Sequence, residues 1–229
     1  MKPVVSVFKL HTRNTLMWLL MPWVVLLISL LINLLIGLLM EGKPPIYTGG
    51  LSSIYAFVFI IGLLTIKDTF PFALGFGIRR LDYVLGTLLM LIVISLVSAF
   101  LLCVLSLIES GVTAYWGVNV HFFHLPYLSA GSWPEQFWVY FAPFVHLYLL
   151  GFAIGSIYRR FGSTGMWIFG CLALLLIGSV SFLGTYLRWW SALLSWLSQF
   201  TAFELAIWAF VLAGVYALVA YALLRKSTV

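Results

Sequence analysis

Two histidines three residues apart, His121 and His124, are the first side chains whose types and spacing could do chemistry, since with Glu109 or Glu135 they could share a metal ion. The segment has no clear helical period and no third ligand at a diagnostic spacing, so no metal site is expected. His146 and Glu204 carry more weight, because an ionisable group in a long apolar run is a functional candidate by default. Glu204 has a local explanation, however: Thr201-Ala202-Phe203-Glu204 has the spacing of a capping box, in which the hydroxyl and the carboxylate each take an orphan N–H at a helix start. Ser132-Trp133-Pro134-Glu135 repeats the pattern, with Pro134 in the first turn where it is tolerated. His146 lies close to Pro143, which should kink its helix, and reads as a buried, hydrogen-bonded histidine rather than a proton relay. Cys103 and Cys171 sit inside apolar runs, away from any redox or metal spacing, and read as packing residues. An intramembrane protease or lipid-phosphate hydrolase needs a nucleophile, a base or a metal facing one another at one depth, and His146 with scattered serines does not supply that set. No catalytic residue is assigned. There is also no G-x-x-x-x-G-K-[ST] phosphate loop, so ATP chemistry of that kind would have to reside on another polypeptide.

The remaining candidate is a binding element. Residues 67–86 (KDTFPFALGFGIRRLDYVLG) form a short polar interruption between two apolar runs. Phe70, Pro71, Phe72, Ala73, Leu74 and Phe76 give apolar knobs on a proline-started stretch, Gly75 and Gly77 loosen it, and Arg79, Arg80 and Asp82 follow. A helix lying across the end of a bundle and offering aromatics to a soluble partner has this composition. So does an ordinary loop whose apolar residues dip into the membrane interface, and spacing alone leaves both readings open.

The elements that must position these residues follow from composition. Of the 229 residues, 64% are hydrophobic and only 8% charged, against roughly a quarter charged in soluble domains. The expectation is an all-α integral membrane protein built as a single transmembrane domain over residues 1–229. A span needs about 20 apolar residues at 1.5 Å each. Six such helices are predicted, at 15–40, 51–66, 83–108, 136–158, 163–184 and 202–224. The first is too long for a signal-peptide core and has no small-residue cleavage site after it, so it reads as uncleaved. Residues 4–15 suit a short interfacial helix. Residues 109–135, rich in Tyr115, Trp116, Phe122, Phe123, Tyr127 and Trp133, should fold back onto the membrane face. Residues 186–201 suit a re-entrant or interfacial stretch before the sixth helix, and residues 41–50 a plain turn. Gly151-x-x-x-Gly155 allows close approach of another helix.

Charge gives the orientation. Lys2, Lys9, Arg13, Lys67, Arg79, Arg80, Arg159, Arg160, Arg225 and Lys226 all fall at one end of the predicted bundle, and only Lys43 and Arg188 at the other. The positive-inside rule then puts both termini and residues 67–86 in the cytoplasm. The net charge of +6 is thus mainly a topology signal, with no cluster of the density that nucleic acid or polybasic lipid recognition requires.

The string F-P-F-A-L-x-x-G-x-x-R-R-x-x-Y-x-x-G, from Phe70 to Gly86, resembles the cytoplasmic segment between the second and third helices of ABC-2 type transporter permeases, especially small bacterial ones encoded apart from their ATPase. The predicted topology is similar to that family along the whole chain, whereas the residue-level likeness is confined to this string. The resemblance implies a coupling helix that docks into an ABC ATPase subunit through Phe70, Pro71, Phe72, Leu74, Arg79, Arg80 and Asp82. Arg159 and Arg160, beside a hinge at Gly162, would make a second, shorter cytoplasmic contact. It further implies a bacterial plasma-membrane exporter subunit paired with an identical or paralogous permease, with ATP and Mg2+ held by the ATPase and no cofactor on this chain. The apolar and aromatic spans suit an amphipathic peptide, a lipid-like molecule or a hydrophobic drug, and some small relatives export amphipathic peptides such as phenol-soluble modulins. The alternative reading is the substrate-capturing membrane subunit of a vitamin importer, also a six-helix protein, which would expect a polar ligand pocket and would leave the Phe70 to Gly86 pattern unexplained.

Overall fold

The computed structural model describes residues 3–12, 20–41 and 43–227; Lys2, Arg13, Gly42 and the first residues of the predicted 15–40 span lie outside them. Helices make up most of the described residues, and their strands are one pair of two residues each. In order the chain forms α1 (Pro3–Thr12), α2 (Met21–Leu39), β1 (Ile46–Tyr47), α3 (Ser52–Gly75), α4 (Arg80–Leu107), β2 (Val120–His121), α5 (Trp133–Tyr186), α6 (Trp189–Leu197) and α7 (Ala202–Arg225). Five helices are long and apolar enough to cross a membrane: α2, α3, α4 with its continuation to Val112, α5 and α7. The 54-residue α5 is two helical arms meeting at Gly162, whose φ of 69° and ψ of −163° are open to glycine and strained for other residues. Helical backbone runs through Pro143, so the break falls at the glycine.

The first arm of α5 is the centre of the bundle, packed between α3 and α7. Three glycines set its distance from α3. A Cβ at Gly62 would lie 2.2 Å from the Tyr148 carbonyl oxygen, one at Gly151 2.3 Å from that of Phe59, and one at Gly155 2.7 Å from that of Leu63, so any side chain there would push the helices apart. Against α7, His146 donates from Nδ1 to the Ala209 carbonyl at 2.9 Å, and Trp138 and Phe141 both pack on Phe210. Helix α1 lies along α4: its Val7 is fully buried against Gly86, and His11 Nε2 meets Thr87 Oγ1 at 3.0 Å. Burial lowers the His11 pKa to about 4.

Two expectations change. The interruption at residues 67–86 forms no separate helix. Instead α3 continues nine residues past the predicted end at Ile66, through Pro71 to Gly75, and α4 starts at Arg80. Lys67, Asp68 and Thr69 end the apolar run without ending the helix, because Phe70 and Ala73, three apart, keep one face buried while the Thr69 hydroxyl donates to the Thr65 carbonyl at 2.7 Å. Residues 41–50 also do more than turn: Ile46 and Tyr47 pair in parallel with Val120 and His121, joining the two connections at that end of the bundle. Residues 186–201 contain the short helix α6, none of whose residues is buried.

Candidate functional site

The basic end of the bundle is built around the turn between α3 and α4. Helix α3 closes in a Schellman motif: the Ile78 N–H donates to the Ala73 carbonyl at 3.1 Å and the Gly77 N–H to the Leu74 carbonyl at 2.9 Å, with Gly77 at φ 73°. Gly77 therefore terminates the helix rather than loosening it. This fixed turn sorts the aromatic knobs. Phe70 is 0% exposed, whereas Phe72 is 64% and Phe76 73% exposed, their rings 6.3 Å apart on consecutive turns. Leu81, 47% exposed, and the exposed Arg79 continue the patch onto α4. Pro71, Leu74 and Asp82 are half-buried, Asp82 in the first turn of α4 where the helix dipole favours a carboxylate. Exposed apolar side chains occur all along the long helices, but here they sit at a helix end among Lys67, Asp68 and Arg79, all exposed.

Beneath the patch, Phe70 is a structural anchor and not a knob offered outward, a correction to the sequence expectation. Its ring meets Tyr83 edge-on at 5.1 Å, and the Arg159 guanidinium lies 5.6 Å from its centroid. Hydroxyls tie this floor together: Thr69 and Tyr83 at 2.8 Å, and Tyr148 donating to Thr65 at 3.1 Å. Arg80 reaches across to donate to the Arg225 carbonyl at the end of α7. Arg160 lies over Phe161, 4.9 Å from its centroid, directly before the Gly162 break. The sequence string thus divides into a buried floor (Phe70, Tyr83), a tether (Arg80) and an exposed face (Phe72, Phe76, Arg79, Leu81).

The opposite end holds a feature that sequence reasoning missed. Glu109, in a π-helical turn after α4, is 0% exposed. Its carboxylate accepts the backbone N–H groups of Phe122 (2.9 Å), Phe123 (2.8 Å) and His124 (3.0 Å) and the Trp116 indole N–H (2.9 Å). The loop it closes carries Ala114, Tyr115, Trp116 and Asn119 at positive φ, costly conformations that the clamp over-determines. His121 is buried between the rings of Tyr47 (4.6 Å) and Tyr115 (4.0 Å), while His124 Nδ1 meets Ser106 Oγ at 3.1 Å. Among the described residues no group of three His, Cys, Asp or Glu side chains could hold a metal. Glu204 pairs with Thr201 at the start of α7, accepting its N–H at 2.8 Å, and Glu135 accepts the Ser132 N–H at 2.9 Å.

Comparison with protein-family models, with characterised proteins and with solved structures gives no match.

Proposed function

We propose that this chain is the membrane permease subunit of an ATP-driven exporter of the ABC-2 type, with the basic end in the cytoplasm. The observation that carries the reading is the exposed pair Phe72 and Phe76 beside Arg79 on a turn locked by Gly77. A push from a nucleotide-driven partner is transmitted only through packed contacts, and two exposed rings on a rigid turn give such a partner something to grip, with cations setting the register. The residues assigned to this contact are now Phe72, Phe76, Arg79 and Leu81, while Arg80 and Phe70 hold the turn to the bundle. Both arms of α5 are longer than the roughly 20 residues a span requires, so on this reading each arm crosses once, giving six crossings with Arg225 on the cytoplasmic side. In the second arm only Gly184 is buried, leaving an apolar surface for lipid or for a second permease, identical or paralogous. Substrate would pass between the two copies along apolar and aromatic walls, suiting an amphipathic peptide, a lipid-like molecule or a drug.

The test is co-purification with an ABC ATPase, sought among the proteins encoded next to this chain. Phe72→Ser with Phe76→Ser and Arg79→Glu should abolish ATPase association while the permease stays monodisperse. Undiminished association of that variant would sink the reading.

A further inference from the structure

The break at Gly162 opens the two arms of α5 and leaves a cleft between them and α3. Its wide part, about 580 Å3, is lined by Phe59, Ile154, Trp167, Phe169 and neighbours, with Ser163 the only hydroxyl besides Tyr158. A second cleft of about 280 Å3 is continuous with it, since Leu63, Tyr158 and Met166 line both, and it ends at Lys67 and Arg159. No acidic residue lines either part; Asp68, next to Lys67 in the chain, is outside both. Among the described residues neither cation has an acidic partner. The Arg159 Nε is buried without a hydrogen-bond partner, which is unfavourable until an anion completes it.

We propose that this cleft binds a long-chain fatty carboxylate, its hydrocarbon chain along Phe59, Ile154 and Trp167 and its carboxylate on Lys67 and Arg159. Size favours one chain over two. At about 30 Å3 per heavy atom, the volume a water takes in the liquid, the wide part holds on the order of 20 heavy atoms. That is one fatty chain, and a diacyl phospholipid is far larger. Charge favours an anion, because an apolar channel that ends on two cations without a counter-charge is complementary to an amphiphile with a negative head. The cleft lies within a single chain and does not depend on an ATPase partner, so it can stand or fall separately from the exporter reading.

The experiment uses the full chain, without an ATPase, in nanodiscs of phosphatidylcholine. A palmitate bearing a photoreactive diazirine is crosslinked, and the labelled peptides are mapped by mass spectrometry. Label should concentrate at residues 59–67 and 154–170 and be displaced by unlabelled palmitate. Hexadecanol, with the same chain and no charge, should compete about tenfold more weakly, the factor expected for a charge-assisted contact. Acetate should not compete at all. Gly170→Trp fills the wide part from a position where a Cβ meets nothing within 4 Å, and should remove the label without disturbing the fold. Label spread evenly over α2 and α7 as well, or competition by hexadecanol equal to that of palmitate, would overturn the proposal.

Discussion

At the end of the bundle that holds Glu109, four N–H groups close on one buried carboxylate; at the basic end, Phe72 and Phe76 stand exposed beside Arg79. Both ends are connections between long apolar helices, and both are rich in aromatics. They differ in where the polar groups are satisfied. The Glu109 loop consumes its polar groups internally and buries Phe122 and Phe123, so it acts as a clasp. The α3–α4 turn is closed by its backbone at Gly77 and held to the bundle by Phe70 and Arg80, which leaves the rings of Phe72 and Phe76 and the Arg79 cation for something else. On the proposed reading, what marks the basic end as an interaction surface is a closed backbone turn beneath unspent side chains, and not aromatic content.

Breaking the clasp should have the largest effect. Glu109→Ala leaves three backbone donors, two of them buried, and an indole N–H without their acceptor, a loss of about 3 kcal/mol. A fall in the melting temperature in detergent, with new protease cleavage between residues 110 and 124, would register it. Acid should come next. His11 titrates near 6.5 when α1 is undocked and near 4 when it is packed on α4. The undocked form then binds the extra proton between these values, so docking is full above 6.5, weakens as pH falls toward 4, and loses up to about 3 kcal/mol in all. The opening equilibrium of α1, from amide hydrogen exchange divided by the intrinsic rate at each pH, should rise as pH falls through that window, and His11→Gln should flatten the dependence. Gly151→Ala should cost roughly 1–3 kcal/mol by forcing α5 off the Phe59 carbonyl, measurable by thermal unfolding. The smallest stability change belongs to the exposed pair: Phe72→Ser with Phe76→Ser should shift stability by no more than about 0.5 kcal/mol. A large loss there would mean that the rings serve the fold and would erase the contrast between the two ends.

Sequence reading reached what is local. The capping boxes at Ser132 and Thr201 lie within one turn, and their Glu135 and Glu204 partners are visible as spacing. Gly162 was legible as a hinge between two apolar runs and is where α5 breaks. Phe70 and Phe72 look alike in the sequence. Only the helical phase of α3 separates them, and a polar Lys67-Asp68 pair that looks like a helix end hides that phase. The role of Glu109 left no pattern at all, because its acceptors face backbone N–H groups, which every residue but proline carries. The β1–β2 pairing was equally silent, being two residues long and formed by segments far apart in the chain.

The docking assignment is tested most directly by a photocrosslinking amino acid placed at position 76 and, in a parallel variant, at Tyr127, which is similarly exposed at the other end. With a candidate ABC ATPase subunit co-expressed in cells, residue 76 should yield an adduct containing that subunit and residue 127 none. Adducts from both positions in equal yield, or no ATPase adduct from position 76, would contradict the account.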